Sequence, residues 1–154
     1  MPTHAERRTL PYTPQQMFDL VAGVELYPEF LPWCIASRIT RREGHVFYAD
    51  LVIGYKMVRE RFSSRVTLDR PSGTKNGQLR VEYMKGPMRH LNNIWTFEAN
   101  PDGSCTIDFF VDFEFKNPVL QKLISVFFHE AVKRMVGAFE ARAVQLYGPV
   151  SGTP

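Results

Sequence analysis

The chain has 154 residues, 44% of them apolar and 13% aromatic, with twelve Phe, a formal charge of +3 and a pI near 9.0. That length can bury a real core, and that apolar content excludes a chain disordered by composition. No apolar run approaches the ~20 residues that span a bilayer, and no basic segment followed by an apolar run opens the sequence, so the expectation is a soluble intracellular protein, at most peripheral to a membrane.

Thr3 to Leu10 reads as an edge-like first strand ended by Pro11. Thr13-Pro14-Gln15-Gln16 then has the pattern of a capping box, with Met17, Phe18, Leu20 and Val21 as the buried side of a short helix that stops near Gly23. The next eleven residues, Val24 to Cys34, hold two prolines and five large apolar or aromatic side chains. Pro28 can start a second short helix and Pro32 would end it. Such a stiff apolar segment makes either a lid or cavity wall, or a plug that closes one end of the core.

From Ile35 the chain reads as strands, with Gly44 marking the first hairpin. Val58 to Asp69 alternates, placing Phe62, Val66 and Leu68 on one face and Arg59, Arg61 and Arg65 on the other as a surface basic row. Glu60 falls on the apolar side of that register, and a strand bulge that turns it outward is the expected resolution. Turns at Pro71-Ser72-Gly73 and Gly86-Pro87 bound a short strand around Leu79, Val81 and Tyr83. His90 to Ala99 carries Leu91, Asn93, Trp95 and Phe97 on one face. After the turn at Asn100-Pro101-Asp102-Gly103, Ser104 to Phe115 alternates most clearly, with Val111 and Phe113 among its inward residues.

Asn117-Pro118 then caps and starts a helix that runs to Tyr147 and stops at Gly148-Pro149. At ~1.5 Å per residue it is ~45 Å long. Leu120, Ile124, Phe127, Phe128, Ala131, Met135, Ala138 and Phe139 form its apolar stripe. The expected fold is therefore α+β: one domain over residues 1–149, with a curved antiparallel sheet of six to seven strands around a long C-terminal helix, two short helices after the first strand, and a flexible tail at 150–154. The space between a curved sheet and a straight helix is a natural cavity.

Chemistry-bearing residues do not cluster. His4, His45, His90 and His129 are scattered, and Cys34 and Cys105 have no metal-ligand spacing and read as reduced buried thiols. No catalytic residues and no metal site are predicted, and the chain is not expected to be an enzyme. The predicted cavity walls are Tyr27, Phe30, Leu31, Trp33, Val111, Phe113, Phe127, Phe128, Ala131 and Met135. Asn93 is a candidate polar group for a ligand oxygen.

The element order together with Tyr27-Pro28-Glu29-Phe30-Leu31-Pro32-Trp33-Cys34 resembles the coenzyme-Q-binding proteins of the START-like, helix-grip superfamily, which also includes polyketide cyclase or lipid-transport proteins and bacterial ribosome-association toxins. The likeness runs from about His4 to Tyr147. It implies a carrier or chaperone for ubiquinone or a related isoprenoid quinone, supporting respiration and quinone biosynthesis, with that quinone as bound ligand, no required cofactor, and a cytoplasmic location with peripheral contact at the inner membrane. It also implies the alternative of a ribosome-binding toxin-like protein that blocks subunit association.

Overall fold

The computed structural model describes residues 3–31, 33–55 and 58–148, with Tyr55, Val58 and Phe127 described as backbone only. Seven strands form one antiparallel sheet: β1 Thr3–Leu10, β2 Cys34–Glu43, β3 Val46–Tyr55, β4 Val58–Asp69, β5 Gly77–Lys85, β6 Met88–Ala99 and β7 Cys105–Phe115. Their spatial order is β1-β7-β6-β5-β4-β3-β2, so β2 to β7 run as a meander and β1 pairs with the last strand. Helix α1 (Pro14–Ala22) and a 3-10 helix (Val24–Glu29) fill the crossover between the two sheet edges, and α2 (Pro118–Tyr147) closes the described chain. This is the expected α+β helix-grip arrangement, with seven strands. The tail expected at residues 150–154 lies outside the described residues.

Local chemistry explains the element ends. The Thr13 hydroxyl accepts from Gln16 N at 3.1 Å, and the Gln16 side chain accepts from Thr13 N at 3.0 Å, a reciprocal cap for α1. The Asn117 side-chain Oδ1 accepts from Val119 N at 2.9 Å and Leu120 N at 3.2 Å at the start of α2. Gly148, at φ 79°, ends that helix in a conformation that favours glycine. The deepest stripe of α2 is Leu120, Phe128, Val132, Val136, Phe139 and Ala143. Ile124, Ala131, Met135 and Ala138, expected to share it, are half-buried, so the helix is turned slightly from the predicted orientation.

The core is unevenly filled along α2. Near the helix C-terminus, α1 drives Met17, Phe18 and Val21 fully into the core, with Phe18 edge-on to Phe97 at 5.4 Å. The 3-10 helix and the residues after it add Tyr27 and Phe30, whose rings lie 5.5 and 5.2 Å from Phe139. Phe139 also meets Trp95 at 5.1 Å. Among the described residues no comparable plug enters beneath the N-terminal half of α2.

Candidate functional site

Beneath that N-terminal half lies a cavity of about 240 Å³. Strand β3 contributes Ile53 and Gly54, β4 Glu60 and Phe62, β6 Met88 and Leu91, and β7 Val111, Phe113 and Phe115. Helix α2 contributes Ile124, Phe128, Ala131, Val132 and Met135, and Trp33 stands just before β2. Phe113 braces the wall, with Phe115 at 5.4 Å and Phe128 at 5.0 Å between ring centroids. The helix faces this space with a small Ala131 and an unbranched Met135, which leaves volume that larger side chains would fill.

Turn geometry shapes the sheet side. Gly86, between β5 and β6, has φ 148°, and a Cβ added there would stand 2.7 Å from the Cβ of Phe62. The close approach of that turn to β4 therefore requires glycine. Gly54 N donates to the Trp33 carbonyl at 2.9 Å, which fixes Trp33 beside the β3–β4 end of the cavity.

Six predicted residues come together here: Trp33, Val111, Phe113, Phe128, Ala131 and Met135. The side chain of Phe127 lies outside the described residues. Tyr27, Phe30 and Leu31 are displaced from the prediction. They form the plug at the other end, and the Tyr27 hydroxyl donates to the Val21 carbonyl. Burial drives the Tyr27 phenol far above its ordinary pKa, the mark of a packed interior. Arg142 holds this plug against α2, bonding Glu29 at 2.8 Å with its guanidinium carbon 5.2 Å from the centre of the Phe30 ring.

Asn93 faces inward, but it does not line the cavity, and both ends of its amide are engaged by the protein. Its Nδ2 donates to the Phe110 carbonyl at 2.9 Å, and its Oδ1 accepts from Trp95 Nε1 at 3.1 Å. Glu60 corrects the reading in the opposite direction. The β3–β4 ladder runs in unbroken register from Val46 opposite Thr67 to Tyr55 opposite Val58. With no bulge, alternation leaves Glu60 on the Phe62 side, and its half-buried side chain lines the cavity. Phe62 and Phe115 by strand alternation and Ile124 by the helical stripe were legible as inward residues, and were missed because apolar periodicity does not say which inward residues face a hollow.

Arg59, Arg61 and Arg65 are exposed on the outer face of β4. Arg61 bonds Asp50 at 2.7 Å, and Ser63 Oγ donates to the same carboxylate at 2.6 Å. Those two bonds, Ser63 first, hold Asp50 below the usual carboxylate range.

The histidines are not all scattered. His4 Nδ1 lies 3.0 Å from His129 Nδ1, and His4 Nε2 lies 2.9 Å from Glu6. Arg8 bonds both Glu6 and Glu140. This polar seam joins β1 to α2 and contributes nothing to the cavity lining. Cys34 and Cys105 are free and buried, and burial pushes their thiols up to about 11 and about 12. Neither is a thiolate nucleophile at neutral pH. Among the described residues no group of three or more His, Cys, Asp or Glu side chains is placed to hold a metal ion, and no helix is long and apolar enough to cross a membrane.

The family model described as polyketide cyclase / dehydrase and lipid transport matches residues 10–140. The mitochondrial coenzyme Q-binding protein COQ10 homolog B of Xenopus laevis is 37% identical over 149 residues, covering 94% of this chain and 59% of that protein. The ribosome association toxin RatA of Pseudomonas aeruginosa is 34% identical, covering 96% of this chain and 100% of that protein. Among solved structures, an 18 kDa protein of Caulobacter crescentus aligns with a TM-score of 0.74 at 34% identity, over 97% of this chain and 100% of that one. The Zhui aromatase/cyclase of Streptomyces aligns at 0.81 over 99% of each chain with 11% identity, a likeness of fold alone.

Proposed function

The chain belongs to the polyketide cyclase / dehydrase and lipid transport family, and we propose that within it this protein is a non-enzymatic carrier of ubiquinone or a closely related isoprenoid quinone. The observation that carries the reading is the cavity beneath α2, walled among the described residues by apolar side chains apart from Glu60. Burial of hydrocarbon contributes ~0.8 kcal/mol per CH₂, so a five-carbon isoprenoid unit offers up to ~4 kcal/mol before ordering costs. Ligand sites usually enclose about 300–1,000 Å³. A cavity of about 240 Å³ suits a ring and its leading isoprenoids, with the rest of a tail emerging.

The outer side of the same helix half is suited to that exit. Val119, Leu123 and Val126 are exposed at 78, 41 and 70%, a helical row of apolar side chains, with Lys116 and Lys122 beside them. Loading then proceeds by movement of α2 over the cavity at a lipid surface, while the Tyr27–Leu31 plug stays packed. The test is transfer of ubiquinone from donor to acceptor vesicles. Substoichiometric protein should accelerate it, and an unchanged rate with no quinone bound to the protein would refute the carrier reading.

A second reading, a ribosome-binding protein that blocks subunit association, has its own support. RatA of P. aeruginosa is similar over nearly the whole chain, and Arg59 and Arg65 are exposed and, among the described residues, make no ion pair. This reading predicts cosedimentation with a ribosomal subunit that falls steeply with salt and is lost on Arg59→Glu with Arg65→Glu.

A further inference from the structure

Among the described residues, Glu60 is the one charged side chain of an otherwise apolar wall. The regular ladder opposite Ile53 fixes it there. Its neighbours on the strand, Arg59 and Arg61, alternate to the outer face, where Arg61 bonds Asp50. Among the described residues no hydrogen bond or ion pair reaches the Glu60 carboxyl. Trp33 and Gly54 stand at the same end of the cavity, and Ile53, opposite Glu60 on β3, shares its inward face.

We propose that Glu60 makes the cavity selective for the reduced, hydroxyl-bearing quinol ring over the oxidised quinone, an inference that rests on the carrier reading. A carboxylate accepts hydrogen bonds and donates none. An oxidised ubiquinone ring presents carbonyl and ether oxygens, also acceptors only. Placed against Glu60 in an apolar site, both partners lose water and neither gains a bond. The quinol ring presents two O–H donors, and an O–H bonded to a carboxylate is among the shorter and stronger hydrogen bonds. The carrier therefore holds its cargo in the two-electron-reduced state, with electrons and protons supplied before binding by a separate quinone reductase chemistry and not by this protein.

The test is anaerobic calorimetric titration of the whole chain with a short-tailed ubiquinone and with the same molecule reduced beforehand to the quinol. Wild-type protein should bind the quinol at least about tenfold more tightly, the lower end for a hydrogen bond to a charged group. That preference raises the midpoint potential of the bound couple by about 30 mV, a second readout. Glu60→Leu should bring the two affinities within about twofold, mainly by weakening the quinol, since both forms then meet only apolar walls. Glu60→Gln, which can donate as well as accept, should tighten quinone binding and serves as the check if Glu60→Leu misfolds. An equal affinity of the wild type for both forms, or a preference unchanged in the folded variants, overturns the role of Glu60 while leaving the carrier reading standing. A wild-type chain that binds neither form overturns the carrier reading and this inference with it.

Discussion

The two halves of α2 face the same sheet and meet different interiors. The C-terminal half lies on a cluster of Phe139, Trp95, Tyr27 and Phe30, with ring centroids 5.1 to 6.0 Å apart. The N-terminal half covers a hollow of about 240 Å³. The difference comes from one insertion: α1 and the 3-10 helix enter at one end only. A protein built purely for stability would fill both halves, because cavities cost stability in proportion to their size. The unfilled half is where function is expected, and substitutions should separate the two.

The largest effect is expected in the filled half. Phe139→Ala should lower unfolding free energy by about 3–5 kcal/mol in denaturant titrations, while the fraction still folded retains ligand. Next in size is Gly86→Ala, which forces a Cβ toward Phe62 at a positive φ. It should cost about 1–3 kcal/mol and weaken ligand binding at the same time, because Phe62 is a cavity wall. Met135→Trp should sharpen the contrast from the other side. It fills existing space, so stability should change by about 1 kcal/mol or less, yet ligand binding should fall at least tenfold. If Met135→Trp instead unfolds the protein with binding intact per folded molecule, the hollow is ordinary core.

The smallest effect lies far from both halves, on the outer sheet. Asp50→Asn should cost about 1 kcal/mol or less at neutral pH, because Arg61 is 60% exposed. Asp50 is held below its ordinary pKa, so its contribution is fully present above about pH 4 and is lost as pH falls through the lowered value. The variant and wild type should therefore converge in stability in acid, which parallel thermal melts from pH 7 to pH 2 would show.

Much of this architecture is legible in sequence. Strand β7 alternates over eleven residues, and α2 is framed by Asn117-Pro118 and Gly148, so local rules and tertiary structure agree. The division into filled and hollow halves is not legible in that way. Tyr27, Phe30 and Leu31 are as apolar as Trp33, and only the three-dimensional path of the crossover decides that the first three plug the core while the fourth meets the cavity. Asn93 looked available because an inward amide invites a partner, and that partner is Trp95, two residues along the same strand. Glu60 looked misplaced because burying a carboxylate is costly, yet the unbroken ladder with β3 leaves it no way out. His4 and His129, 125 positions apart, meet only because β1 pairs with β7 under α2.

The most direct test of the central claim, that the hollow half of the core is a quinone site, is organic extraction and mass spectrometry of purified wild-type protein beside Met135→Trp. An isoprenoid quinone near stoichiometric level in the wild type, and absent from the folded variant, is the predicted result. A wild-type protein that carries none and takes up none when it is added, or a variant that carries as much as the wild type, would contradict it.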